Sequence, residues 1–296
     1  MGQYIADGII LGATLSLGAI GLTLTFKILR FANFAHGELL TFGAYFALAL
    51  TTVLGVGAPL GTLTFGWGFL LVIVLAAVFT AVLAIVVDFL VYRVLRRSDI
   101  VATIVIASFG ASLMLRNIVV FIWGNQPEYY FHTIAIAKPI LPGVRVTTDE
   151  IFVVALAAVL MVALHLFLTR TRAGKAMRAV SDNALLAQVT GINVQSIIRL
   201  MWVVGGTLAA IGGIFYGITV QVGPNMGFNL ILPMFAAAIL GGIGSVYGAV
   251  LGGMVIGLAE SVSVFWIDPA YKPAVAFLLM FVMLLVYPGG LLGERA

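Results

Sequence analysis

The sequence predicts an all-α, polytopic transmembrane bundle of about eight or nine spans, one of them broken by glycine. Three observations carry that expectation. Hydrophobic residues make up 62% of the 296-residue chain and charged residues only 9%, against roughly 25% charged in soluble domains. The mean hydropathy is +1.19. Several apolar runs reach the ~20 residues that a helix needs to cross the hydrocarbon core, and the short alternating segments of a membrane β-barrel are not seen. Residues 1–296 therefore read as a single membrane domain with no room for a separate catalytic one.

The same composition excludes several function classes. In a membrane protein the net charge of +4 reports topology rather than nucleic-acid binding, so no nucleic-acid partner is expected. Cysteine is absent, which removes disulfides, thiolate catalysis and Cys-based metal sites. HExxH and GxSxG motifs are missing. His36-Gly37-Glu38 matches the H-x-E of zinc deaminases but lacks their cysteine pair. Gly242-Ile243-Gly244 is followed by Tyr247 where a dinucleotide fingerprint needs glycine, and Thr169 stands where a phosphate loop leading to Gly174-Lys175 needs one. The expectation is a non-enzyme that holds no metal or cofactor. ATP-driven transport would then place ATP and Mg on partner ATPase subunits.

In chain order, the N-terminus MGQYIADGII carries Asp7 and no Lys or Arg before the first apolar run. That run is a span rather than a cleavable signal. It covers Ile5–Phe26, and Lys27 and Arg30 close it. The second span, about Phe34–Leu54, is entered through FANFAHGE, and the glycine-rich stretch 55–68 forms the loop after it. The third, Phe69–Tyr92, has Asp88 near its end and leads into Arg93, Arg96 and Arg97. The fourth, Ile100–Ile122, carries Arg116 and Asn117.

Residues 123–150 form an extracytoplasmic loop, in which FHTIAIA and VRVTT alternate about a Pro139–Pro142–Gly143 turn and predict a short hairpin. Span five is Ile151–Leu168 and span six, beyond the polar stretch 170–194, is Ile197–Val222. After the turn GPNMG, the apolar region Phe228–Phe265 is interrupted at Gly241–Ser245. One glycine-broken helix is improbable there; two pieces close the topology. The last span is about Pro273–Tyr287.

Charge sets the orientation. One set of loops holds Lys27, Arg30, Arg93, Arg96, Arg97, Arg170, Arg172, Lys175 and Arg178, nine residues against Lys138, Arg145 and Lys272 on the other side. The positive-inside rule places the nine in the cytoplasm, the N-terminus outside and the C-terminus, with Arg295, inside the cytoplasmic (inner) membrane.

The segment 170–194 is the longest polar, helix-compatible stretch. Its first half, Gly174–Val180, suits one short helix. Ser181 as N-cap and Asp182 in a first turn suit another, with Leu185, Leu186 and Val189 sharing a face and Gly191 a left-handed cap. The plain reading is a basic loop or a helix lying on acidic lipid; length, capping and apolar faces together point to a docking surface. Its candidate contacts are Arg172, Lys175, Arg178, Leu185, Leu186, Val189 and Gly191.

Charges within spans cost roughly 2.5–3.5 kcal/mol at a helix centre and are default functional candidates. Asp88 can pair with Arg93 or snorkel, Arg116 sits toward an interface and Glu260 faces bundle or water. Asn33, His36 and Glu38 cluster at the start of span two. With the break at Gly241, Gly242, Gly244 and Ser245, they are candidates for the translocation path or a gate. The glycine break reads equally as a substrate-route discontinuity and as tight packing.

Several segments together resemble one family. These are Leu29–Glu38 (LRFANFAHGE), Arg178-Ala179-Val180, Gly191-Ile192-Asn193, Leu240–Ser245 with Gly248, and Tyr287–Leu292 (YPGGLL), in order and spread over nearly the whole chain. They are similar to the H-type permease of branched-chain amino acid ABC importers. The resemblance implies a fold of the ABC importer permease type and a partnership with a second homologous permease, two cytoplasmic ATPases and an extracytoplasmic solute-binding protein. It also assigns 170–194 to ATPase contact. Relatives serving urea, amides or other amino acids remain alternatives, as does an ion-coupled carrier using Glu38, Asp88 or Glu260.

Overall fold

The computed structural model describes residues 1–55, 57–96, 101–131, 135–287 and 289–292. Its helices are α1 Gly2–Leu29, α2 His36–Leu54, α3 Trp67–Val87, α4 Arg93–Leu95, α5 Val101–Trp123, α6 Thr148–Arg170, α7 Arg172–Asp182, α8 Ala184–Val189, α9 Val194–Thr219, α10 Met226–Gly241, α11 Val246–Ser263 and α12 Lys272–Val286. A π-helical turn, Asp88–Tyr92, joins α3 to α4, and a 3-10 turn, Pro269–Tyr271, precedes α12. Eight helical stretches among the described residues are long and apolar enough to cross a membrane, with α10 a shorter ninth apolar helix. The chain is a multi-pass membrane protein, as the apolar runs predict.

Helix α1 is the axis of the bundle: every residue from Gly12 to Thr25 is buried, as expected of a helix apolar on all sides. Around it the helices fall into two equivalent sets. α1 packs on α11 as α9 packs on α3; α2 lies on α9 as α10 lies on α1; α2 pairs with α3 and α5 as α10 pairs with α11 and α12. Gly205 faces Gly21 while Gly212 faces Thr14, so α1 and α9 run antiparallel. The two sets are therefore an inverted repeat, a transporter architecture that puts binding sites near the bilayer midplane.

The repeat meets itself at Gly37 and Gly227, each the second residue of its helix. A Cβ on either would collide with the backbone of the other, so two helix starts cross where only glycine fits. Gly227 N–H also donates to Thr41 Oγ1 at 3.0 Å. The second span, His36–Leu54, matches the expected Phe34–Leu54 to within two residues; the depth at which it starts is new. α2 begins at His36, beside Gly18 in the middle of α1 (His36 Nε2 to the Gly18 carbonyl, 3.1 Å). From Gly18 to Arg30 is about 18 Å along a helix, so the chain turns back into the bundle over residues 31–35 before α2 starts. The GPNMG turn does the same on the other side.

Other elements follow their local chemistry. α6 opens with a capping box between Thr147 and Glu150. The broken region is two helices, α10 and α11, separated by Gly242 at φ 107° and Gly244 at φ 91°; Ser245 N-caps α11 by accepting from Gly248 N.

The hairpin exists but is shifted. Its strands are Lys138–Leu141 and Val144–Val146, antiparallel about Pro142–Gly143. The turn prolines thus lie within and just after the first strand rather than between alternating strands, and residues 132–134 of FHTIAIA lie outside the described residues. Tyr130, in the same loop, is buried and donates to the Ala44 carbonyl at 3.0 Å. Burial, and then the Tyr45 hydroxyl, push its phenol well above the usual range and keep it a donor.

Asp88 pairs with Arg96 at 2.7 Å rather than with Arg93. One π turn widens the repeat, so residue 96 instead of 95 returns to the face of residue 88. Arg97 and Arg295 lie outside the described residues. Glu260 faces the bundle and is buried.

Candidate coupling and translocation sites

The segment after α6 folds as two capped helices. Thr171 N-caps α7 by accepting from Gly174 N at 2.9 Å. Met177 and Val180 turn inward, leaving Arg172, Lys175 and Arg178 as an exposed stripe at three-residue spacing. The expected cap of the second helix is corrected by two residues. Asn183, in an extended conformation, accepts from Leu186 N at 2.9 Å, while Ser181 ends α7 with its hydroxyl donating to the Arg178 carbonyl at 2.7 Å.

α8 buries Ala187 and exposes Leu185 (77%), Leu186 (61%) and Val189 (84%). Gly191 at φ 89° closes it, with Ile192 N–H reaching the Ala187 carbonyl at 3.0 Å in a Schellman-type stop. Three large apolar side chains are thus held out by a helix pinned at both ends.

Arg30 ties this segment to the axial helix. It closes α1 in the left-handed conformation, φ 59°, and its Nη2 donates to the Ser181 carbonyl at 2.8 Å. Arg30, Lys27, Arg178 and the break residues Gly244 and Ser245 together line a cavity of about 650 Å³ at the basic end of the bundle.

The candidate path residues divide into two groups. Gly244 and Ser245 belong to that basic end, and Leu291 N and Leu292 N donate to the Leu240 and Gly241 carbonyls, each at 2.9 Å. Gly241 also packs directly on Gly248. Asn33, His36 and Glu38 lie deep in the bundle instead, each almost fully buried.

Asn33 Oδ1 accepts from Tyr92 Oη at 2.7 Å and from Ala35 N at 3.1 Å. Tyr92 in turn stacks on Trp202 with centroids 5.4 Å apart and planes 4° from parallel. Asn33 and His36 thus fasten the re-entrant turn. Glu38 Oε1 accepts from Ser112 at 3.2 Å, and Oε2, like Asn33 Nδ2 and His36 Nδ1, has no hydrogen-bond partner among the described residues. On the same α5 face, one turn on, Arg116 lies over the Phe228 ring at 5.0 Å. Phe34 packs on Phe235 and Phe109 at 5.1 and 6.0 Å. The α2–α5–α10 wall therefore offers a carboxylate, a guanidinium and aromatic faces near mid-depth. The parts missed from sequence, Tyr92, Ser112 and Trp202, carried no local motif; Asn183 directly before ALLAQV was a readable cap signal.

Known proteins resemble this chain. The family described as "Branched-chain amino acid transport system / permease component" matches residues 4–284. The high-affinity branched-chain amino acid permease LivH of Escherichia coli K12 is 32% identical over 301 residues, covering 99% of this chain and 95% of the relative. BraD of Pseudomonas aeruginosa is 32% identical over 297 residues with the same coverage. Among solved structures, PsaBC from Streptococcus pneumoniae in complex with Fab aligns with a TM-score of 0.53 at 14% identity, covering 97% of this chain and 92% of that one. That likeness is one of fold.

Proposed function

The chain belongs to the family of branched-chain amino acid transport permease components, and from that membership we propose that it is the membrane subunit of an ATP-driven importer carrying branched-chain amino acids across the cytoplasmic membrane. Its partners are a second homologous permease, two cytoplasmic ATPases and an extracytoplasmic solute-binding protein. The basic end with α7 and α8 faces the cytoplasm, following the positive-inside rule; the N-terminus and the Lys138–Val146 hairpin, joined through Gln3 and Arg145, face outside.

The exposed α8 face carries this reading. Leu185, Leu186 and Val189 are exposed on a helix whose both ends are capped, which suits an apolar patch docking in a groove of an ATPase, with Arg172 and Lys175 at its rim. ATP-driven closure of the ATPase pair then moves α7–α8, and Arg30 passes the motion to α1. The α2–α5–α10 wall supports the cargo class. A zwitterion with an aliphatic side chain matches one carboxylate, one guanidinium and apolar rings, and Glu38 and Arg116 supply the charges.

The deciding experiment is uptake by proteoliposomes of the assembled transporter, with Leu185, Leu186 and Val189 each replaced by Asp. ATP-dependent uptake and ATPase co-purification should be lost while membrane insertion persists. Normal uptake by these variants sinks the docking assignment. The partly unpaired carboxylate of Glu38 favours one competing reading, an ion-coupled carrier; this chain alone, given a proton or sodium gradient, would then accumulate amino acid without ATPase subunits.

A further inference from the structure

The basic cavity is not closed on its membrane flank. It continues along α6 and α11 into an apolar groove of about 430 Å³, and the two share Val246 and Tyr247. The groove is walled by Ile20 of α1, Met161 and Leu164 of α6, and Val250 and Leu251 of α11. Tyr247 and Leu251 are half exposed, so it opens sideways from the bundle. At the seam His165 Nδ1 meets the Tyr247 hydroxyl at 2.7 Å, the only described side-chain hydrogen bond between α6 and α11. His165 precedes Arg170 by about 7.5 Å of helix, the depth at which a lipid's polar head gives way to its chains.

Charge selects the occupant. Among the described residues the head compartment presents Lys27, Arg30 and Arg178 against one carboxylate, Asp182, and none of the three cations forms a salt bridge there. Arg30 spends one N–H on the Ser181 carbonyl. An excess of cations above a laterally open apolar groove fits a molecule with an anionic head and a hydrocarbon tail. Basic pockets between transmembrane helices at the cytoplasmic side bind acidic headgroups.

We propose that this composite cavity is a binding site for one anionic phospholipid, its phosphate held by Lys27, Arg30 and Arg178 and one acyl chain lying along α6 and α11 past Tyr247. The site touches both Arg178 of α7 and Ser245 at the helix break. A bound lipid therefore bridges the segment that receives motion and the loop between the half-helices.

Native mass spectrometry of the full chain in detergent tests this, with phosphatidylglycerol and phosphatidylcholine of identical chains as probes. Wild type should retain phosphatidylglycerol with about a tenfold preference. Lys27→Gln with Arg178→Gln should abolish the preference, and Leu251→Trp, which fills the groove, should reduce retention of both lipids. Arg199→Gln removes one positive charge outside the cavity, against two in the cavity variant, and should change nothing. Equal retention of the two lipids by wild type overturns the proposal. So does loss of preference in Arg199→Gln to the same degree, which would mean general surface attraction. Inorganic phosphate competing in the absence of any lipid retention would assign the head pocket to a free anion and also overturn it. A groove found covered by a second copy of the chain, with no lipid retained, does the same.

Discussion

Arg30 Nη2 donates to the backbone carbonyl of Ser181 at 2.8 Å, joining the end of the axial helix to the end of α7. The residue doing this holds φ 59°, a conformation that costs a non-glycine residue roughly 1–2 kcal/mol. Arg30→Gly relieves that strain while removing the link. Thermal stability in detergent should stay equal or rise, whereas ATP-driven uptake should fall several-fold. A parallel fall in both would make Arg30 a structural residue and no transmitter.

The crossing of α2 and α10 depends on two missing side chains. Gly37→Ala or Gly227→Ala forces the backbones apart, an overpacking of about 1–3 kcal/mol. Each should lower the yield of folded protein and the unfolding temperature, and the double variant should not rescue either. Measured melting curves equal to wild type would show that the crossing is loose.

Asn183 tests the capping of α8 apart from its apolar face. Asn183→Ala removes the bond to Leu186 N and should destabilise the helix by about 1 kcal/mol. Asn183→Asp should retain it. Hydrogen exchange across residues 184–190 should rise in the first variant only, and ATP-driven uptake should drop with it.

Glu38→Gln keeps the shape of the side chain and an acceptor for Ser112 while deleting the charge. Insertion and melting should be preserved; uptake at saturating amino acid should fall at least tenfold if the carboxylate meets the cargo. Uptake that stays at the wild-type rate would assign Glu38 to packing.

Much of this architecture was legible because hydropathy reports span by span. The break at Gly241 and the outward set of Leu185, Leu186 and Val189 follow from spacing and caps. The depth of the helix starts was not legible. Phe34 and Ala35 read as the beginning of a span, although they belong to a turn that leads back into the bundle; hydropathy ranks residues without locating them along the membrane normal. Ser181 and Asn183 are both good caps, and the choice fell to the one left in an extended conformation after Ser181 bonded back to Arg178. Asp88 pairs two turns on, with Arg96 and not Arg93, and the π turn that brings residue 96 to its face leaves no mark on a count of 3.6. The Glu38–Ser112 contact joins positions 74 apart in the chain, a relation that exists only once the bundle has formed.

The two bonds from Leu291 and Leu292 to the end of α10 also set an order of assembly. Buried carbonyls left bare in a membrane are costly, and the N–H groups that satisfy these two are translated after α11 and α12. Until those donors arrive, α10 can be threaded but its basic end is not finished. A chain shortened before Leu291 would therefore keep both half-helices but leave their junction without its two closing donors.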